Sequence, residues 1–370
     1  MTSAHSFLSP SSASTWRHCA AHPSMVKLYP GEESEDAKEG TAAHWVAWKL
    51  SDGVLTKEGE LAPNGVMATQ EMIDGAELLI STMYSTASPG EWNVEEPIVI
   101  FDDLDCWGTP DAWAYNETTR TLHVIDYKFG HRFVDEYENN QGVLYCKGLI
   151  DLIQNNYGVY DQDLNVEFTI VQPRCFYRGE PVRTWRFKAS EIRGLVNMLR
   201  MAAERALDVD PAATTNLGCR YCPARHDCPA LQKATCADIE TSTQSTPINI
   251  GAHAAAVELK MLERARDRME DRITGLQEFV LSKIRSGERV PHYQAIQGYG
   301  RRAWTVSEEE VISLGLAFEK DLSKQSVITP SQAIKLGIDE AVIKEYSHTP
   351  LGKLSLAPQE NPNKLFSQGK

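Results

Sequence analysis

Apolar and polar positions along the chain change their spacing several times, and each change predicts a new element. Short runs rich in β-branched and aromatic residues predict strands at residues 92–101, 107–115, 121–125 and 166–171. Helical spacing of apolar positions predicts helices at residues 45–50, 67–84, 135–153, 190–207 and 250–286. A polar run at residues 241–247 precedes the last helix and predicts a domain boundary.

The strands at 107–115 and 121–125, joined by a turn at 116–120, carry three charged residues. Asp111 lies on the first strand, Asp126 ends the second, and Lys128 follows two positions later on the same face as Asp126. The residues before Asp126 are apolar, so this acid needs a partner or a metal ion. Two carboxylates and an ammonium group at strand ends predict a site for a hard divalent cation and the water it activates. Aspartates also flank ordinary turns, and these three residues alone do not exclude that reading.

Length and composition are typical of a globular protein. The chain has 370 residues, of which 42% are hydrophobic and 24% charged, enough for a sizeable core and two domains. No apolar run reaches the length of a membrane span, and the N-terminus lacks the basic and apolar regions of a signal peptide. We therefore expect a cytoplasmic protein with no membrane partner.

Charge is unevenly distributed, which bears on nucleic-acid binding. The formal net charge is −14, but a local basic groove can still bind phosphate on an acidic protein. The segment 172–188 is the best such surface, because aromatic residues alternate with basic ones: Arg174, Arg178, Arg183, Arg186 and Lys188. This composition predicts phosphate binding and base stacking. A basic edge strand that resists aggregation is the alternative.

The eight cysteines in a chain without a secretion signal indicate metal or cluster ligation, or free thiols, rather than disulfides. Cys219, Cys222 and Cys228 have the spacing C-x2-C-x5-C, and the last two are followed by proline, as is common beside iron–sulfur ligands. Three cysteines leave a fourth ligand open. Zinc held by the same cysteines with His226 or Cys236 is the alternative.

Several short motifs occur in an order that resembles a known family. They are G-x-x-D at 108–111, D-x-K at 126–128 and Q-x-x-x-Y at 141–145. Together they resemble the PD-(D/E)XK nuclease superfamily, and specifically its RecB-like exonuclease branch. The likeness is greatest to an uncharacterised phage-encoded family of that branch, through GTxD, VxDxKxG, ENxQ and QPR at 108–111, 124–130, 138–141 and 172–174. It extends from about residue 9 to beyond residue 304.

The resemblance implies an α/β fold with a PD-(D/E)XK restriction-endonuclease-like core, in which helices flank a mixed central sheet. It also implies a metal-dependent DNA exonuclease with a 5′-phosphate product. Asp111, Asp126, the backbone carbonyl of Tyr127 and His44 would hold Mg²⁺ or Mn²⁺. Lys128 would position the attacking water, and Gln141 and Tyr145 would bind DNA and orient the catalytic centre.

The resemblance further implies a fourth cluster ligand and a division of the chain. Relatives with a [4Fe–4S] cluster take the remaining ligand from the N-terminal helix, which here means Cys19. The cluster would tie together the ends of a nuclease domain at 1–236. A mainly helical domain would follow at 237–357, and a disordered tail at 358–370.

The family resemblance also suggests a biological setting. DNA would be the partner, in phage recombination or end processing, together with a phage single-strand annealing protein. Two alternatives stay open: a catalytically inactive DNA-binding or structural phage protein on the same fold, and an endonuclease subunit of a larger complex.

Overall fold

The protein divides into a unit Met1–Gln294 and a unit Ala295–Lys370. In the computed structural model, residues 6–30, 34–175, 179–242 and 250–296 are described, and every element below belongs to the first unit. The predicted tail at 358–370 lies outside the described residues, and so does most of the predicted C-terminal domain. The predicted boundary near residue 236 stays a prediction.

Helices and strands alternate along this unit. The helices are α1 Ala13–Trp16, α2 His22–Leu28, α3 Glu35–Ser51, α4 Gln70–Thr86, α5 Asn140–Tyr157, α6 Arg193–Ala206, α7 Pro229–Ser242 and α8 Ala252–Arg285. The strands are β1 Asn93–Val94, β2 Ile98–Phe101, β3 Cys106–Gly108, β4 Ala112–Asn116, β5 Thr121–Tyr127, β6 Asn165–Val171 and β7 Val182–Lys188. Short 3-10 turns connect several of them.

Five of the strands form one mixed sheet in the order β1-β4-β5-β6-β7. The pairs β1–β4, β4–β5 and β6–β7 are antiparallel, whereas β5 and β6 are parallel. A parallel pair requires a crossover, and α5 supplies it. β2 and β3 form a separate two-stranded sheet. The predicted α/β fold with a mixed central sheet is therefore confirmed.

Helices cover both faces of the five-stranded sheet. Successive side chains of a strand point to opposite faces, so one strand contributes to the core on each side. On β5, Leu122 and Val124 pack into a core shared with α5 and α6. Ile125 and Tyr127 pack into a second core shared with α3 and α4. Full burial of a large apolar side chain contributes about 1.5–3 kcal/mol. The two cores together fix the position of β5 at the centre of the sheet.

The predicted strand at 92–101 is wrong in one respect, because it divides into β1 and β2, which belong to different sheets. The break falls at Glu95, whose φ of +47° is left-handed and ends the extended conformation. Pro97 follows and offers no backbone N–H for a strand ladder. The chain therefore leaves the edge of the main sheet just beside the end of β4.

The predicted helix at 135–153 begins later, at Asn140. Its N-cap is Asn139, whose side chain accepts a hydrogen bond from the Gly142 N–H at 3.0 Å. Such a cap satisfies one of the free N–H groups of the first turn. The cap sets the start of α5 and with it the position of Gln141.

Candidate functional site

The ends of β4 and β5 bring the two predicted acids together. Ala112, the first residue of β4, pairs with Ile125, so Asp111 lies near Asp126 and its charge acts on the Asp126 carboxyl. Asp111 immediately precedes β4 rather than lying on it, a small correction to the prediction. Its Oδ2 accepts a hydrogen bond from the Tyr127 N–H at 2.6 Å. This bond fixes the Asp111 carboxylate against the end of β5.

Lys128 joins the acid pair to helix α5. Its Nζ lies 3.0 Å from Oδ2 of Asp126 and donates to Oε1 of Gln141 at 3.1 Å. The Gln141 Nε2 in turn donates to the Tyr145 hydroxyl at 3.2 Å. Gln141 and Tyr145 lie one helical turn apart, so they share a face of α5. The structure therefore assembles Asp126, Lys128, Gln141 and Tyr145 in one connected chain of contacts.

Burial sets the electrostatics of the acid pair. Asp126 is 1% exposed, and neither of its carboxylate oxygens accepts a well-formed hydrogen bond, although the Lys128 ammonium group is close. Burial raises the pKa of Asp126 to about 6, against the opposing effect of Lys128. Burial likewise raises the pKa of Asp111 to about 6. A bound cation would stabilise the ionised form of two neighbouring carboxylates whose pKa values are raised, so the pair indicates a cation site.

The surroundings of Lys128 favour its charged form. Burial lowers its pKa, but the nearby Asp126 and Asp111 carboxylates outweigh that effect and leave the pKa above its ordinary value. Lys128 therefore carries a positive charge at neutral pH. An ammonium group close to two acids is a compact positive charge within the site.

His44 reaches the acid pair from α3. Its Nδ1 lies 3.5 Å from Oδ1 of Asp111, and its ring contacts the Tyr127 ring edge-on with centroids 5.2 Å apart. Burial and the nearby Lys128 lower the pKa of His44 to about 4. The imidazole is therefore neutral at physiological pH, which is the form that coordinates metals.

The donor set fits a hard divalent metal ion. Two carboxylates and a neutral imidazole are ligands that Mg²⁺ and Mn²⁺ accept, and the two buried Asp126 oxygens lack well-formed partners of their own. In the part of the chain that the structure describes, no three His, Cys, Asp or Glu side chains are arranged as a group that could hold a metal ion. One Asp111 oxygen is bound to the Tyr127 N–H instead. The fit is thus one of chemistry and proximity.

Two further residues lie near the site. The Glu95 N–H donates to the Asp111 carbonyl oxygen at 3.1 Å, and the Glu95 carboxylate accepts from Trp48. Gln172, fully buried, donates to the Gly130 and Arg132 carbonyl oxygens at 2.8 and 2.7 Å. Gln172 thereby fastens the loop that follows Lys128. Its place at the end of β6, the parallel neighbour of β5, was the signal in the sequence.

The four cysteines implied by the resemblance surround one cavity. Cys19, Cys219, Cys222 and Cys228 all line it. Backbone N–H groups point at two of the sulfur atoms, from Thr214 to Cys19 at 3.4 Å and from Asn216 to Cys219 at 3.3 Å. Such N–H···S contacts tune the sulfur ligands of a cluster. The residue types are those that ligate an iron–sulfur cluster or zinc, but among the described residues the four side chains are not arranged as a group that could hold a metal ion.

The alternative ligands lie elsewhere. Cys236 is exposed on α7 and does not line this cavity. The His226 ring stacks on Phe279, with centroids 4.8 Å apart, and its Nδ1 lies 3.1 Å from the Pro223 carbonyl oxygen. Burial raises the pKa of the Cys222 thiol to about 11, so the thiolate forms readily only when a metal is present.

The predicted basic surface at 172–188 is not a single open surface. Arg174 is buried, with its guanidinium donating to both Glu39 oxygens and to Glu71. Arg183 forms an ion pair with Glu136 at 3.3 Å. These pairs serve the fold and argue against phosphate contacts by Arg174 or Arg183.

The other members of that set differ. Arg186 is exposed on β7 and forms an ion pair with Glu167 at 2.9 Å, and Lys188 is half-buried at the end of the strand. Arg178 lies outside the described residues. β7 is the edge of the main sheet, in agreement with the alternative of a basic edge strand.

The fold and the site together define the class of protein. It is a mixed α/β protein with a buried acid pair, an ammonium group beside that pair and a cavity lined by cysteines. The chain belongs to the family described as Protein of unknown function (DUF2800), whose profile matches residues 5–364. Among the described helices, none has the length and apolar character that a membrane crossing requires.

Two solved structures are similar to this chain at a low level. One is named SSO0001, with 12% identity, a TM-score of 0.31, and coverage of 59% of this chain and 84% of that one. The other is described as "Putative exonuclease" from Eubacterium rectale, with 10% identity, a TM-score of 0.36, and coverage of 65% and 90%. At this similarity neither structure bears on what this chain does.

Proposed function

We propose that this protein is a divalent-metal-dependent deoxyribonuclease that acts as an exonuclease. The observation that carries the proposal is the juxtaposition of Asp111 and Asp126 across β4 and β5, with the Lys128 ammonium group 3.0 Å from Asp126. Asp111, Asp126 and His44, with the Tyr127 backbone carbonyl, would hold Mg²⁺ or Mn²⁺. When bound, the ion supplies an activated water and a positive charge at the phosphate.

Each protein residue has a distinct part in this proposal. Lys128 places a compact positive charge where negative charge develops on the phosphate in the transition state. Gln141 holds the Lys128 ammonium group in position through Oε1 and is itself anchored by Tyr145. Gln141 and Tyr145 therefore act as positioning residues. His44, neutral at pH 7, buttresses Asp111 and contributes a nitrogen ligand.

The test is a cleavage assay on linear duplex, circular duplex and single-stranded DNA with Mn²⁺ or Mg²⁺. Lys128→Ala should reduce cleavage by a factor of about 10² or more, the usual effect of removing a residue that stabilises the transition state. Lys233→Ala, which removes an exposed lysine on α7, is the matched control and should cleave like wild type. Undiminished Mn²⁺-dependent cleavage by the Lys128 variant would refute the assignment.

The same assay separates the alternatives. Cleavage of linear but not circular DNA supports an exonuclease, whereas cleavage of circles supports an endonuclease subunit. DNA binding without cleavage of any substrate supports an inactive binding or structural protein. A role beside a phage single-strand annealing protein in DNA end processing is a further expectation from the family resemblance.

We further propose that Cys19, Cys219, Cys222 and Cys228 hold a [4Fe–4S] cluster with a structural role. Support comes from the shared cavity and the N–H groups directed at the sulfur atoms. Zinc in the same cavity is the rival. Anaerobically purified protein with about four irons per chain and a brown colour supports the cluster. Colourless protein with one zinc supports the rival.

A further inference from the structure

A second polar cleft lies away from the acid pair, between three parts of the chain. The loop after β5 contributes Arg132, the 3-10 turn Leu217–Tyr221 contributes Arg220, and α8 contributes Arg264, Arg266 and Arg268. We call this cavity the arginine cleft, and its volume is about 510 Å³. A cavity of this volume can hold a group of the size of a nucleotide.

The walls of the arginine cleft are held firmly together. α8 packs through Gly275 against the 3-10 turn Pro223–His226, which lies between Cys222 and Cys228, and a Cβ added at Gly275 would lie 2.4 Å from the Arg225 side chain. Arg272 of α8 donates to the Arg225 carbonyl oxygen at 3.1 Å. The cleft is therefore a preformed feature of the fold.

The charges of the cleft favour an anion. It is lined by five arginines and three carboxylates, in a chain whose net charge is −14. Two of the arginines already form ion pairs, Arg266 with Asp267 and Arg268 with Asp238. Arg264 is exposed and forms no ion pair with any residue that the structure describes. Arg220 lies near Asp271 and lowers its pKa against the larger opposing effect of burial.

An aromatic ring contacts two of these cations. Tyr221 is 64% exposed, and the guanidinium carbons of Arg132 and Arg220 lie 5.6 and 5.5 Å from its ring centroid. Arg132 also donates to the Tyr221 hydroxyl at 3.0 Å. An exposed ring beside two guanidinium groups can stack an unpaired base while the cations contact the phosphates of the same strand.

The arginine cleft is connected to the acid pair by a short, fixed segment. Arg132 follows Lys128 by four residues, so their Cα atoms are at most about 14 Å apart. Gln172 fixes this segment through the Gly130 and Arg132 carbonyl oxygens. The edge of the cleft at Arg132 therefore lies at a short, fixed distance from Lys128.

We propose that the arginine cleft binds the phosphate backbone of single-stranded DNA and that Tyr221 stacks one of its bases. The proposal rests on the proposed function in that the bound strand is the one presented to Asp111 and Asp126. Arg132, Arg220 and Arg264 contact phosphates, and the cysteine-bearing turn carries one wall of the cleft.

The test measures binding without cleavage. Fluorescence anisotropy of a labelled 20-nucleotide oligo-dT is followed with the full-length protein in EDTA buffer. Arg264→Ala should weaken binding about tenfold, as expected for one charge-assisted hydrogen bond, and should reduce the slope of log K against log salt by about 0.7. Tyr221→Ala should weaken binding by a similar factor through lost stacking.

The matched control is Arg285→Ala. Arg285 is exposed on the same helix but lies about 30 Å along α8 from Arg264, outside the cleft. It should bind as tightly as wild type. Equal losses for Arg264→Ala and Arg285→Ala overturn the proposal, because they indicate only a nonspecific charge effect. Tighter binding of a duplex than of oligo-dT also overturns it.

The outcomes keep this proposal separate from the nuclease proposal. If wild-type protein binds through the cleft but cleaves no DNA with Mn²⁺, the proposed function fails and the cleft stands. If wild-type protein cleaves DNA and Arg264→Ala binds oligo-dT with unchanged affinity, the cleft fails and the nuclease proposal stands.

Discussion

The Gln172 side-chain amide donates to the carbonyl oxygen of Arg132 at 2.7 Å, across 40 residues of sequence. The same amide group donates to the Gly130 carbonyl oxygen, while its oxygen accepts from the Val134 N–H and from Arg183. One fully buried side chain thus satisfies three backbone groups of the loop after β5. The loop that joins the acid pair to the arginine cleft depends on it.

We predict that Gln172→Met destabilises the protein by about 2–4 kcal/mol, since methionine is of similar size but leaves several buried polar groups without partners. Urea unfolding measures the loss. Gln70→Met is the control, because Gln70 is exposed and bonds only to Asp74, and it should change stability by less than about 0.5 kcal/mol. Equal stability of the two variants contradicts the role given to Gln172.

The buried acid pair predicts a pH dependence for the metal-free protein. The pKa of Asp126 is raised by burial to about 6, so the folded protein retains a proton that the unfolded chain releases near pH 4. Stability from this group is therefore lost as pH rises from about 4 to about 6. His44, with its pKa lowered to about 4, acts in the opposite sense over the same range.

A variant isolates the contribution of Asp126. Relative to wild type in EDTA, Asp126→Asn should gain stability as pH rises from 4 to 7, by up to about 3 kcal/mol. With Mn²⁺ at pH 7, wild type should instead be more stable than Asp126→Asn, because the ion binds the wild-type carboxylates. Thermal unfolding at both pH values measures the difference, with Asp210→Asn, at an exposed position, as control. A difference between Asp126→Asn and wild type that does not change with pH contradicts the account.

The sequence leaves Cys19 and Cys236 as alternative candidates for the fourth metal ligand, and the cysteine cavity predicts different metal contents for their variants. Cys19→Ser should lose bound metal, because Cys19 lines the cavity, whereas Cys236→Ser should keep it. If the metal acts as a cross-link between residues 19 and 228, its loss removes on the order of 5 kcal/mol by the loop-closure relation. Metal analysis and urea unfolding of both variants provide the measurements. Full metal content in Cys19→Ser would exclude Cys19 as a ligand.

Arg174 provides a prediction that distinguishes stability from DNA binding. Arg174→Gln should destabilise the protein by about 1–3 kcal/mol, because the buried guanidinium loses its charged hydrogen bonds to Glu39 and Glu71, which themselves stay accessible to solvent. Arg186→Gln removes an exposed ion pair and should cost less than about 1 kcal/mol. At temperatures where both variants are folded, Arg174→Gln should bind oligo-dT as wild type does. Weaker binding by folded Arg174→Gln would restore the phosphate-contact role predicted from the sequence.

Local patterns in the sequence predicted the part of the site that depends on neighbouring residues. The β4–β5 hairpin follows from its strand residues and turn, and the strand period places Asp126 and Lys128 on one face. The turn sets the register that pairs Ala112 with Ile125, and this places Asp111, just before β4, near Asp126. These relations need no information about distant parts of the chain.

Other features depend on contacts between distant residues and could not be predicted in this way. Arg174 meets Glu39 from 135 residues away, so its charge is neutralised by a partner that a local charge count does not include. The arginine cleft combines α8 with a loop more than 100 residues earlier. Glu95 is left-handed beside the end of β4, which interrupts a segment whose residues otherwise favour a strand.

Gly142 shows how packing of α5 controls the site. A Cβ at this position would lie 2.5 Å from the ring of Phe168, which is fully buried on β6 and cannot move aside. The glycine lets α5 approach the sheet closely, and Gln141, its neighbour, thereby reaches Lys128 at 3.1 Å. Gly142→Ala should destabilise the protein by about 1–3 kcal/mol through overpacking, despite a gain of about 1 kcal/mol in helix propensity.

The control for this variant is Gly194→Ala in the first turn of α6. No atom lies within 4 Å of a Cβ added there, so alanine should stabilise the protein by about 0.4–1 kcal/mol. Urea unfolding compares the two, and the cleavage assay then follows Gly142→Ala under conditions where it is folded. Because α5 must shift outward to accommodate the methyl group, Gln141 no longer holds the Lys128 ammonium group, and cleavage should fall together with stability. A Gly142→Ala protein as stable and as active as Gly194→Ala would show that the close approach of α5 is not what positions Lys128.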